Sequence, residues 1–156
     1  MNSIKKLPTG IKVIIGFHIL STIIWAIGQT GAIFFYDTVA SWGLQDLRKL
    51  SDPVIVELNR GIGLVDSIVL LPLFVIAAAG LWRMKFFGAV ASWMVLGINL
   101  YWPLEAICMR LFFGRAGIMH VPFDIGSNII LVLIVTFAGW ASWYLFKNRN
   151  LFEKIT

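Results

Sequence analysis

The chain has 156 residues and a formal net charge of +5; 59% of it is hydrophobic and only 13% charged, and its mean hydropathy is +0.85. Soluble domains carry about 25% charged residues, so the composition argues against a water-soluble domain and for a chain that resides in a bilayer. A single cysteine, Cys108, and two histidines, His18 and His120, exclude a disulfide scaffold and a structural zinc site.

Taken in order, Lys5, Lys6 and Lys12 precede the first apolar run, residues 13–36. The run is too long for a typical signal-peptide core and lacks a clean cleavage site, so it is read as an uncleaved first span. In the loop that follows, Val39, Trp42, Leu47 and Leu50 fall near helical spacing, with Gln45, Asp46, Arg48 and Lys49 in the gaps. This pattern predicts an amphipathic interfacial helix over about 38–50, anchored by Trp42. Ser51-Asp52-Pro53 then places a capping acid before a proline suited to a first helical position, so a helix starts there and leads into the second span, residues 61–82. Asp66 is the one charge in that span.

Arg83, Met84 and Lys85 are the whole connection to the third span, residues 86–104 with an extension to 112, which makes spans two and three an antiparallel hairpin. Asp124 precedes the fourth span, residues 125–146, as Asp52 precedes the second. Each run can cross about 30 Å of hydrocarbon. The predicted fold is all-α: one membrane domain, a four-transmembrane-helix bundle with an amphipathic outer loop helix. Small residues at Gly28 and Gly31, 77–80, Gly88 and Ala91, and Ala138 and Ser142 allow its helices to pack closely.

Four spans put both termini on the side of the short 83–85 turn. That side holds Lys5, Lys6, Lys12, Arg83, Lys85, Lys147, Arg149 and Lys154; the other holds Arg48, Lys49, Arg60, Arg110 and Arg115. The excess of basic residues predicts cytoplasmic N- and C-termini and a membrane role for the positive charge, with no nucleic-acid partner.

A carboxylate in hydrocarbon costs a few kcal/mol, so it is paired, protonated or turned to a wet cavity. Asp66 lies about 8 Å below the outer boundary counted from Gly61, and Glu105, about 28 Å from Phe86, reaches a similar level. Asp66 has two readings: a structural partner for Arg60, Arg110, Gln29 or Asn128, or a functional group. Pro103 frees the carbonyl of Asn99, so a local opening is expected there. Gln29, Asp66, Ser67, Asn99, Glu105 and Asn128 thus gather in the outer half, with Trp102 beside them. Glu105 and Arg110 also suit a plain headgroup-facing role. His18 and His120 sit at different depths, which argues against a haem held between them, and Cys108 has no partner; no metal or cofactor is expected.

The order of a first span, an outer loop ending in Asp52-Pro53, an acid at Asp66 followed by Leu71-Pro72, a third span with Pro103 and a fourth span resembles the EXPERA group, which includes the sigma-2 receptor and the emopamil-binding sterol isomerases. The resemblance implies a four-helix bundle whose interior pocket opens to the membrane and takes sterol-like or cationic amphiphilic molecules, with Asp66 as the pocket acid and Asp52 as the acid of the Asp-Pro turn. The isomerases carry a histidine close to the second-span acid, and none corresponds here, which sets sterol isomerisation apart from binding.

The expected function is therefore the binding of a membrane lipid or amphiphilic small molecule in an intramembrane pocket lined by Asp66, Gln29, Asn99, Trp102, Glu105, Asp52 and Asn128. Two other readings stand beside it. One is a lipid or sterol isomerase with Asp66 and Glu105 as acid and base. The other is an assembly subunit, packed as a homo-oligomer or against another membrane protein, with no ligand of its own.

Overall fold

The computed structural model describes residues 7–121 and 125–152. Asp124, expected to cap the fourth span, and Lys5, Lys6 and Lys154, which enter the charge asymmetry, lie outside the described residues. The first span comprises α1 (Thr9–Trp25), a π-helical turn (Ala26–Thr30) and α2 (Gly31–Ser41). The second repeats the pattern with α3 (Pro53–Val65), a π-helical turn (Asp66–Leu70) and α4 (Leu71–Trp82). The third is α5 (Phe86–Arg115) and the fourth α6 (Ile125–Lys147). Thr9–Ser41, Pro53–Trp82, Phe86–Arg115 and Ile125–Lys147 are each long and apolar enough to cross a membrane. Their outward side chains, such as Ile23, Val69, Met94 and Leu133, are exposed and apolar, as contact with lipid requires. The chain is an integral membrane protein with an all-α four-helix bundle.

All four spans extend beyond their uninterrupted apolar runs. α3 begins where Asp52-Pro53 places it: Asp52 Oδ1 accepts the Val54 N–H at 2.9 Å, and Pro53 occupies the first helical position. α5 continues through Pro103, which is buried, for 30 residues.

One expectation is corrected. Residues 38–50 do not form a single interfacial helix, because α2 ends at Ser41, Gly43 adopts φ +76°, and helical structure returns only as a short 3-10 turn at Arg48–Leu50. The physical reason is packing: Val39 is buried with Ala32, Tyr36, Ala40 and Val56, and Leu47 packs against the same cluster. Two residues spaced for one lipid-facing stripe both point into the protein, so the chain must turn between them. Of the predicted stripe, Trp42 and Leu50 keep their exposure.

The bundle is tight at the end that carries the chain termini. Ile11, Ile14, Leu81, Ala89, Leu96, Ala138 and Leu145 form one buried cluster contributed by α1, α4, α5 and α6. α4 and α5 approach until Gly80 and Gly88 meet backbone to backbone, with no room for a Cβ on either. α1 and α6 meet through Gly10 against the ring of Tyr144 and through a stack of Phe17 on Phe137 at 4.3 Å. Inside this half, fully buried His18 places Nε2 3.0 Å from Ser92 Oγ.

At the far end the two π-helical turns face each other. Ser67 Oγ donates to the Gly63 carbonyl at 2.7 Å, so its 2.8 Å contact with Thr30 is donated by the threonine hydroxyl. Gly63 lies flat against the first turn: a Cβ built on it would stand 2.6 Å from the Gln29 carbonyl oxygen. A π-helical turn adds one residue to the turn and is a recurrent feature of functional sites.

Candidate functional site: a cavity in the far half of the bundle

Above the Phe17–Phe137 stack, α1 and α6 no longer fill the space between them, and a cavity of about 840 Å³ occupies the far half of the bundle. Its side walls are aliphatic: Leu20 and Ile24 of α1 face Ile130, Leu131 and Ile134 of α6. Leu20, Ile24 and Ile130 also remain 57%, 42% and 58% exposed, so this side is open between the two helices at hydrocarbon depth. The back wall carries Trp25 and Trp102, packed edge to face at 5.7 Å, with Met109 and Phe113 further along α5.

Polar groups close the far end. The irregular segment after α2 folds over the cavity, where Gln45 Nε2 donates to the Gly28 carbonyl at 3.2 Å and lies 3.5 Å from Gln29 Oε1. Asp46 pairs with Arg110 of α5 at 3.3 Å, both side chains mostly buried. His120 turns its Nδ1 to the Ile118 carbonyl at 2.9 Å and shares the same rim. Asn99, deeper in the wall, gives its amide N–H to the Val95 carbonyl at 2.9 Å, which leaves its own carbonyl oxygen as an acceptor.

Glu105 stands between these rim groups and the tryptophans. It lines the cavity and is half-buried, and neither Arg110 nor Arg60 pairs with it, since Arg110 holds Asp46 and Arg60 holds Glu57. Of the described charged residues on the wall, Asp46 and Glu105 are acidic and Arg110 is basic, an excess of one negative charge among them. Such a wall favours a cation carried on an apolar body, because a carboxylate in a low-dielectric cavity gains more from a matching charge than from water it has partly lost. Among the described residues no group of three or more His, Cys, Asp and Glu is placed to hold a metal ion.

The residues singled out from the sequence divide in two. Gln29, Asn99, Trp102 and Glu105 come together on the cavity wall. Asp66, Asp52 and Asn128 are not on it. Asp66 lies beside the indole N–H of Trp25 without a well-formed hydrogen bond, close enough to Glu105 for their charges to interact, and bonds to none of Arg60, Arg110, Gln29 or Asn128. It therefore backs the Trp25 wall, and of the two carboxyl groups Glu105 lines the cavity and Asp66 does not. Asp52 is spent on capping α3 and donates its backbone N–H to the Met119 carbonyl at 2.8 Å. Asn128 is exposed on the outside of α6, while its neighbour Ser127 reaches the cavity.

Sequence reasoning missed Trp25, Gln45, Asn59 and His120 as wall residues, gave Asp46 only a surface role, and offered Arg110 as a headgroup residue or a partner of Asp66, whereas it pairs with Asp46 on the cavity wall. A signal for Trp25 was available, since it lies four residues before Gln29 on one helix. None existed for Gln45 and Asp46, which arrive through a loop. No protein-family model, no curated protein and no solved structure matches the chain.

Proposed function

We propose that this integral membrane protein binds a hydrophobic or amphiphilic molecule, sterol-like or lipid-like in its apolar body, within the far-half cavity, and that Glu105 is the acidic anchor for a cationic group or hydroxyl on it. The observation that carries the reading is the cavity itself: about 840 Å³, aliphatic and aromatic on its sides, with the Glu105 carboxylate, which has no ion-pair partner among the described residues, where the polar rim begins. Ligand pockets have this character, a volume of roughly 300–1,000 Å³ and a few convergent polar groups in an apolar lining. The open side between α1 and α6 supplies a route for a molecule dissolved in the bilayer. The ordered resemblance to the EXPERA group supports the same reading, with the anchoring role moved from Asp66 to Glu105. Both termini are cytoplasmic, by the distribution of Lys and Arg, so the cavity opens in the outer half of the membrane.

The test is a binding isotherm for a fluorescent long-chain amine with the whole protein in nanodiscs. Glu105→Gln keeps the shape of the side chain and removes its charge, and weakens binding by about tenfold, the value of one charge-assisted hydrogen bond. Equal affinity in a variant that melts at the same temperature would overturn the reading.

A further inference from the structure

Beside the cavity, and sharing no wall residue with it, lies a smaller hollow of about 280 Å³ at the break in the first span. The helix is interrupted at Phe35, φ −135° and ψ 46°, and residues 33–38 wrap one side of the hollow while Arg48 and Arg60 close the other. Counting up the second span from Arg83 to Arg60, and up the first from Lys12 to Phe35, gives about 34 Å in each case at 1.5 Å per residue. A hydrocarbon core is about 30 Å thick, so both counts set the hollow at its far boundary, at headgroup level.

Both guanidinium groups are held in place. Arg60 donates Nη1 to Glu57 at 2.8 Å and Nη2 to the Ile33 carbonyl at 3.1 Å, one of the acceptors next to the helix break. Arg48 gives Nε to Asp37 at 3.0 Å and lies over the Tyr36 ring at 5.2 Å, and its two Nη nitrogens have no partner among the described residues. The described lining of the hollow holds two arginines and one acid, Asp37, which pairs with Arg48 as Glu57 beside the hollow pairs with Arg60, so the phosphate contacts fall to the guanidinium N–H groups that these pairs leave over. Next to these fixed cations, Phe34 and Phe35 are 70% and 68% exposed.

We propose that this hollow is a lipid site that holds the phosphodiester of an anionic membrane lipid, with the phosphate oxygens on Arg48 and Arg60 and the upper acyl chains against Phe34 and Phe35. A planar, immobilised guanidinium fork matches phosphate oxygens better than a mobile ammonium does, and aromatic rings at the interface suit the first acyl carbons. The site stands apart from the amphiphile cavity, so either assignment can fail without the other.

The experiment uses the whole protein in nanodiscs of phosphatidylcholine containing a minor share of phosphatidylglycerol, with lipid retained on release read by native mass spectrometry. Phosphatidylglycerol is retained over phosphatidylcholine, and Arg48→Gln lowers its retention about tenfold, as loss of a charge-assisted contact would. Arg48 is exposed enough that the variant keeps its fold, which thermal melting checks, and Arg60→Lys, which keeps the charge but loses the fork, gives a smaller loss. Equal retention of the two lipids, or retention unchanged in both variants, overturns the proposal. Displacement of retained phosphatidylglycerol by millimolar glycerol phosphate would assign the phosphate site to a soluble ester and overturn the lipid.

Discussion

Phe17 and Phe137 stack at 4.3 Å across the α1–α6 interface, and the cavity begins directly above them. They are its floor. Phe137→Ala removes a ring that α6 contributes and lengthens the apolar space toward the terminal end. The expected cost is below the roughly 3–5 kcal/mol of a fully buried Phe→Ala change, because Phe137 is only partly buried. The expected gain is tolerance of amphiphiles with a longer tail, read by comparing affinities for amines of increasing chain length. If the preferred chain length does not move, the cavity does not end at this stack.

Asp66 and Glu105 are separable. Asp66 acts on the cavity from behind, through Trp25 and through its charge on Glu105, whereas Glu105 is on the wall. Asp66→Asn therefore weakens amine binding by less than Glu105→Gln does, both measured by titration in nanodiscs. A larger effect at Asp66 would return the anchoring role to the second span.

The terminal half tolerates little. A methyl group on Gly88 meets the carbonyl carbon of Gly80 and the backbone nitrogen of Leu81, neither of which can rotate away. Gly88→Ala must force α4 and α5 apart, at a cost at or above the usual 1–3 kcal/mol, roughly, of overpacking. A drop in the melting temperature in detergent checks this. Gly97→Ala serves as the control, because a Cβ there meets nothing within 4 Å.

His18 is fully buried, its Nε2 engages Ser92, and its Nδ1 has no hydrogen-bond partner among the described residues. Ser92→Ala leaves the imidazole without a bond at either nitrogen and costs about 1 kcal/mol, near the upper part of the range for membrane hydrogen bonds. The double variant with His18→Phe recovers part of the loss, since no polar group then remains to satisfy. Thermal melting of the single and double variants measures the coupling, and additive losses would mean that the pair is not coupled.

Orientation has a direct check. With Cys108 replaced by Ala, Lys49→Cys and Asn150→Cys place single thiols at the far and terminal ends. A membrane-impermeant maleimide added to intact cells labels the first and not the second. The reverse pattern would put the cavity in the cytoplasmic half.

The four spans are legible because a run of about 20 apolar residues has no stable home but a bilayer, and a backbone with no water to bond must then be helical. The start of α3 is legible for a local reason as well: Asp52 and Pro53 satisfy and pre-set the first turn whatever the rest of the chain does. The placement of Asp66 is not. Its position was inferred from depth alone, and depth does not say which way a side chain points on a helix that contains a π-helical turn. Nothing in Ala26–Thr30 or Asp66–Leu70 marks those segments as other than ordinary α-helix. The path of residues 42–47 was hidden for a different reason. Their alternation suits an interfacial helix, and only the cluster around Tyr36 and Val56 diverts Val39 and Leu47 inward.

The paired π-helical turns carry a consequence for insertions and deletions. One added residue rotates everything beyond it by about 100°, so a helix with such a turn presents one face below it and another above. Here the first and second spans make the change at the same level and stay joined across it by Thr30 and Ser67. Removing one residue from a single turn would throw the two helices out of phase. Removing one from each would restore their phase with each other but turn both far segments together against α5 and α6. The matched turns thus let the first and second spans present a changed face to the far half of the bundle while staying in register with each other.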